Sequence, residues 1–204
     1  MIDREKYRQV ILYFLHECNN EHLGRVKLMK LLYYLDFDYF GQHRTSVTGD
    51  KYRRLEHGPV PVHADAILQE MECDALITSV PAQRGPFSQT QYVPRTTYNL
   101  SALTAEEVTV LKAVTERWRD ATRAEIEDAS HREQPWIATP ENRDVSFVHA
   151  FHRKANQPVS DNEKDAIIRE IVQSQAIEGI DLSPDEVAAL FHEVFPEPDT
   201  ALSD

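Results

Sequence analysis

The stretch Arg25–Phe40, RVKLMKLLYYLDFDYF, decides how the chain is read. Leu28, Leu31, Leu32, Leu35 and Tyr39 recur at helical spacing, and Val26, Met29, Tyr33, Tyr34, Phe37 and Phe40 fill much of the other side. A helix apolar nearly all round belongs at the centre of a domain. Its charges run against its own dipole. Arg25, Lys27 and Lys30 stand near the N-terminus and Asp36 and Asp38 near the C-terminus, each placement costing about 0.3–1 kcal/mol when exposed. Two readings follow. Either the charges pair within the fold, or Arg25, Lys27 and Lys30 form a surface for an anionic partner.

Working towards the N-terminus, Tyr7, Val10, Ile11, Phe14, Leu15 and Cys18 make one stripe of an amphipathic helix over about residues 3–19. Working towards the C-terminus, Gly41 and Gly49-Asp50 bracket an expected loop, and KYRRLE reads as a short strand. The segment HGPVP, His57–Pro61, is a stiff corner: Gly58 permits unusual backbone, Pro59 keeps Gly58 out of the α region, and Pro61 is expected in the first turn of the next helix. Ala64, Ile67, Leu68 and Met71 give that helix its buried stripe. ALITSV and QYVPRTTYNL then read as strands around a tip at Pro81–Gln91. Thr104-Ala-Glu-Glu107 and Thr122-Arg-Ala-Glu125 are two capping boxes that start helices. Val108, Leu111, Val114 (or Thr115) and Trp118 turn the first inward, and Ile126 and Ala129 the second. Beyond SHREQPW the periodicity weakens. A short helix at VSFVHAFHRK and helices at 161–177 and 184–195 are expected. The fold class is mainly α: a compact helical domain with a small β-hairpin over residues 1–140, then a connecting segment and acidic helical C-terminal extension over 141–204.

Charge sets the choice of partner. The formal charge is −12 over 204 residues. Val159–Asp204 holds 12 acidic residues against Lys164 and Arg169, a net −10, so the rest of the chain is nearly neutral. Nucleic acid is a poor partner for such a segment and a protein with a basic surface a good one. A solvated tail is the plainer alternative. With two cysteines, no apolar stretch near 18 residues and no apolar run behind the N-terminal charges, the expectation is a reduced, cytoplasmic protein without membrane contact.

Chemistry is sparse. The nine histidines include His149 and His152 at i, i+3 and His57 and His63 six apart, but no HExxH and no cysteine pair. Phosphate-cradling and nucleophile-elbow motifs are absent, and Cys18 lies on an apolar stripe. No metal, no cofactor and no enzymatic role are expected. The rigid corner, by contrast, holds Tyr52, Arg53, Arg54, Glu56 and His57 at a set angle. Pre-ordered Tyr and Arg side chains are what interfaces use as anchors. The plainer reading is an internal ion pair of Arg54 with Glu56 or Asp65 behind a structural turn. Two rival functions attach here: a hydrolase using His57 and Glu56 as an acid–base pair, and a DNA-binding transcriptional autoregulator with a winged-helix-like hairpin. The acid on the second capped helix, Glu125, Glu127 and Asp128, counts against the latter.

At these residues the chain resembles the Panacea domain, the SocA-like antitoxin family, phage-associated GepA-like proteins included. The resemblance rests on K-L-M-K-L-L-Y at Lys27–Tyr33, T-G-D-K-Y at Thr48–Tyr52, H-G-P-V-P at His57–Pro61 and the S-H-R-E-Q-P-W ending at Ser130–Trp136. Lys27, Lys30, Leu31, Leu32, Gly58, Pro59, Val60, His131, Pro135 and Trp136 stand at the motif positions, and the likeness covers about residues 7–140. It implies an antitoxin that neutralises a cognate protein toxin by direct contact, or delivers it to a Clp-type protease. The candidate toxin-binding residues are Lys27, Lys30, Tyr52, Arg53, Arg54, Glu56 and His57. Gly58, Pro59, Pro61, His131, Pro135 and Trp136 are the structural motif.

Overall fold

The helix expected at residues 25–40 is the axis of the unit Met1–Ala150. A computed structural model describes residues 2–84 and 87–151, with Arg153, Ile168, Arg169 and Ser183. The Cα geometry separates Met1–Ala150 from Phe151–Asp204, and the first unit is described here. In it α2 (Arg25–His43) is buried along most of its length, including Leu28, Leu31, Leu32, Tyr33, Tyr34, Leu35 and Phe37. It is flanked by α1 (Arg4–Glu17), α4 (Ala105–Trp118) and α5 (Arg123–His131). All six stripe residues of α1 are buried, and Leu12 and Tyr13 beside them. Asp3 caps this helix by accepting from the Lys6 amide at 3.0 Å. The described residues form a mainly α fold with a small β component.

The charges on α2 find their partners inside the fold. Lys27 Nζ donates to the carbonyls of Arg119 and Ala121, both at 2.6 Å. Those carbonyls lie at the C-terminal end of α4, so a cation adverse to its own helix dipole favours that of its neighbour. Asp36 is fully buried and accepts from the amides of Val47 and Thr48 at 2.9 Å, from the Thr48 hydroxyl, and from Tyr52 OH at 2.7 Å. One carboxylate thereby ties down the chain from Val47 to Tyr52. Burial nevertheless raises its pKa to about 6, against those hydrogen bonds. Asp38 takes Arg117 at 2.9 Å, and Arg25 pairs doubly with Asp65.

Gly41 does not end the helix. α2 continues to His43 and is closed by Arg44 at φ 59°. A Cβ at Gly41 would lie 3.2 Å from the Ala150 carbonyl, so the glycine admits a neighbouring segment. That segment is a 3₁₀ turn, Phe147–Ala150, where a short helix was expected; Phe147 stacks on Phe37 and Phe40 at 4.6 and 4.8 Å. Residues 144–150 thus pack with the helical core.

Pro61 is also placed differently from its expected helical position. It ends β2 (Gly58–Pro61), which pairs antiparallel with β1 (Tyr52–Leu55), and α3 (Ala64–Cys73) starts only after His63. The register explains why. Val62 N donates to Lys51 O, so 51/62, 53/60 and 55/58 are the hydrogen-bonded pairs. Positions 59 and 61 then face away from β1, and both are prolines, which have no N–H to leave unpaired. On the other side of β1, Arg54 N donates to Arg143 O and Asn142 N to Arg54 O, joining β5 (Asp144–Val145) into a sheet of order β2-β1-β5. Asp50 seats the start of α3: it accepts from the His63 amide and from Tyr7 OH, each at 3.0 Å.

β3 (Ile77–Arg84) and β4 (Phe87–Pro94) form a second hairpin that runs into the Pro81–Gln91 stretch expected as its tip, and β4 ends at Pro94 where a strand as far as Leu100 was expected. Its β3 edge is blunted. Ser79 N, which points outward, is occupied by Glu72 Oε1 at 2.8 Å, and Pro81 has no N–H there. Both capping boxes form, Thr104 with Glu107 and Thr122 with Glu125. α6 (Gln134–Ile137) is one turn with Pro135 near its start. Of the expected helix 161–177, Ile168 and Arg169 are described and are helical. The helix at 184–195 lies outside the described residues.

Candidate interaction site

The corner His57–Pro61 is a hairpin turn tied to two helices. Glu56 and His57 connect β1 to β2 without positive φ, and Gly58 takes φ +95°. This is a turn closed by a left-handed glycine, the arrangement that lets two twisted strands continue. Gly58 has a second reason to lack a side chain. A Cβ there would run into Lys30 Nζ and lie 2.8 Å from Ser130 Oγ. The turn is therefore seated directly on α2 and on the end of α5.

Three of the seven candidate contact residues are interior. Lys27 is buried and held by the end of α4. Lys30 is buried, and among the described residues its one hydrogen bond is to Pro59 O at 3.1 Å. Desolvation lowers its pKa to about 7, with Glu127 and Glu133 opposing the shift. Tyr52 is buried edge-on to Tyr33 and Phe37, with its hydroxyl on Asp36; burial and that carboxylate push its pKa well up. These three side chains position the hairpin. They do not face solvent.

The other four do. Arg53 is about half exposed and pairs with Asp144 at 3.0 Å. Glu56 is exposed. His57 Nδ1 lies 2.8 Å from Glu127 Oε1, whose other oxygen takes Arg123 at 3.1 Å. Arg54 pairs with neither Glu56 nor Asp65. Its guanidinium stacks 4.2 Å over the Trp136 ring and donates to Thr139 O at 2.6 Å. Trp136 stacks on His131 at 4.3 Å, and its indole N–H reaches towards Leu55 O at 3.4 Å. His131 Nε2 is buried without a hydrogen-bond partner among the described residues, and burial together with Lys30 lowers the pKa of this ring. The motif residues Gly58, Pro59, His131, Pro135 and Trp136 thus meet around one turn, although up to 78 residues separate Gly58 from Trp136.

Leu55 and Ile137, exposed by 37% and 49%, flank this stack. Between the first two turns of α2 and the hairpin lies a cavity of about 130 Å³, lined by Arg25, Val26, Met29, Lys30, Leu55 and Val60 with the turn residues Glu56 and His57. Sequence reasoning overlooked Val26, Met29 and Glu127 as parts of this site. Val26 and Met29 read as core, and Glu127 as an adverse charge on α5.

Among the described residues no group of three or more His, Cys, Asp or Glu could hold a metal ion. His57 faces Glu127 and not Glu56, so the acid–base pair suggested by adjacency in sequence does not form. Cys18 is buried with its thiol pKa pushed up to about 11 by desolvation. Among the described residues no helix is long and apolar enough to cross a membrane.

The profile described as "Antitoxin SocA-like, Panacea domain" matches residues 28–137. No curated protein and no solved structure matches the chain. The matched span runs from α2 through the hairpin to α6, and so contains the turn itself with the ends of α5 and α6 on which it sits, while β5 lies just beyond it. Covering more than half of the chain, it shows that this protein belongs to the SocA-like antitoxin family and carries its Panacea domain.

Proposed function

We propose that this protein is the antitoxin of a toxin–antitoxin pair, acting in the cytoplasm by binding a cognate protein toxin through the β1–β2 hairpin. Family membership is the observation that carries the reading. What supports the location is the build of the hairpin. Arg53, Glu56 and His57 present charged and polar groups on a turn that α2 and α5 hold rigid, and Leu55, Ile137 and the Arg54–Trp136 stack add apolar and aromatic area. Interfaces concentrate energy in such residues, and rigidity lowers the entropy lost on binding. The acidic residues of Val159–Asp204 suit a toxin with a basic surface.

The test is co-expression with the neighbouring reading frame, scored for growth and for co-purification. Rescue with a stable complex is the expected result. Rescue in which the neighbour disappears in a protease-dependent way would assign delivery to a Clp-type protease instead of masking. The variant Arg53→Glu with Glu56→Lys should weaken the complex at least tenfold and leave the fold intact, because exposed ion pairs such as Arg53–Asp144 contribute only about 0–1 kcal/mol. Full neutralisation by that variant would move the contact surface elsewhere. Absence of both toxicity and complex would refute the antitoxin reading.

A further inference from the structure

We propose that the cavity between α2 and the β1–β2 hairpin receives one apolar side chain of the bound partner, and that Glu56 at its rim takes a Lys or Arg of the same partner. The proposal rests on the antitoxin reading above and names the chemistry of its anchor: an apolar residue with a cation beside it.

Size selects the occupant first. Small-molecule sites run to about 300–1,000 Å³, whereas this cavity is about 130 Å³. An apolar cavity of about 150 Å³ holds one benzene, so this space suits one side chain of leucine or methionine size. Wall chemistry selects next. Leu55 is 37% exposed, Val26 and Val60 are half-buried, and Met29 lies buried behind them. Three of the four apolar walls can therefore be reached from solvent. Lys30 brings no usable charge to the cavity, because its amine is sealed from solvent beneath Gly58 and turned to Pro59 O. A charged occupant would lose its water there without compensation, whereas an apolar one gains by leaving water.

The rim adds a sign. Arg25 is held doubly by Asp65, and His57 by Glu127. Glu56 is exposed and, among the described residues, has neither a hydrogen bond nor an ion pair for its carboxylate. The one uncompensated charge at the mouth is thus negative, and it calls for a cation next to the apolar anchor. The net −10 of Val159–Asp204 selects a basic partner independently. Leu55, Glu56 and His57 belong both to this cavity and to the hairpin surface proposed above, so the anchor is continuous with that surface.

The complex with the neighbouring gene product is measured by titration calorimetry with the full chain, at low and at high salt, with thermal melts as the check on folding. Val26→Phe fills the cavity from α2 and leaves the hairpin sequence untouched. It should bind about tenfold or more weakly at both salts, since burial of one apolar side chain is lost. Leu55→Ala removes a wall at a residue exposed by 37%, should weaken binding in the same way, and decides the matter if Val26→Phe melts early. Glu56→Gln keeps the size and removes the charge. It should bind about threefold more weakly at low salt and converge with the wild type at high salt, as an exposed ion pair is screened. Undiminished binding by folded Val26→Phe or by Leu55→Ala overturns the apolar anchor. Glu56→Gln binding as tightly as the wild type at low salt, or more tightly, overturns the cation and shows a neutral or acidic group at the mouth. In each of these cases the complex still forms and the antitoxin reading stands. A complex that never forms overturns the antitoxin reading, and the anchor with it.

Discussion

Gly58→Ala separates the two reasons for glycine at the corner. At φ +95° an L-residue is strained whatever the space around it, at about 1–2 kcal/mol. The added Cβ would also collide with the Lys30 amine and crowd Ser130 Oγ at 2.8 Å. Because Lys30 is buried and bonded to Pro59 O, it cannot swing into solvent. Overpacking of this kind costs about 1–3 kcal/mol. The two effects together come to about 3 kcal/mol, which for a chain of this length lowers Tm by about 6–12 °C. Gly49, also at positive φ (72°), supplies the comparator. Gly49→Ala should cost only the backbone part, about 1 kcal/mol. Urea unfolding of both variants gives the difference. Repeating Gly58→Ala in a Lys30→Ala background should recover the share of the steric part that is due to Lys30, since the two sites are in contact and couple. Equal losses for the two glycines, or no recovery in the double variant, would refute the packing account.

Two further stability predictions follow from the helices. Asp36 has a folded pKa raised to about 6 from 3.8, so the folded state holds its proton more tightly than the unfolded chain. The sign is opposite to that of a salt-bridged carboxylate: between pH 4 and pH 6 this group removes stability as pH rises, by about 1.4 kcal/mol per pH unit. Unfolding measured at pH 4.5 and 6.5 should show wild type losing stability relative to Asp36→Asn across that window, and parallel curves would refute the buried-charge account. Thr122→Ala removes the cap of α5, whose Thr122 Oγ1 accepts from the Glu125 amide at 3.2 Å. It should cost about 1 kcal/mol in the same assay.

Much of the fold is legible in local patterns because those patterns are physically local. The period of α2 dictates burial on nearly every side, and the two T-x-x-E boxes fix helix starts through contacts three residues apart. The harder features depend on distant partners. Gly41 resembles a helix end until Ala150 arrives beside it. Pro61 fits a helix start equally well until the register of β1 shows that its missing N–H faces outward. Lys27 and Lys30 look like surface charge because nothing nearby in sequence announces the carbonyls of Arg119, Ala121 and Pro59 that receive them. At the site, the corner itself is readable from Gly58, Pro59 and Pro61. Its electrostatics are not, since Arg54, His57 and Arg53 take their partners from Trp136, Glu127 and Asp144, 70–91 residues away.

The prolines at 59 and 61 have a consequence for what can bind. A partner that extends a sheet needs a row of free N–H groups as its template, and β2 presents none at either outward position. If the corner is the contact surface proposed above, recognition on this side runs through side chains, and the partner is constrained in what its contact residues are, not in whether they come from a helix, a strand or a loop. On that proposed reading, two partners with unrelated backbones could satisfy the same corner, provided each offers the right few groups at the right spacing.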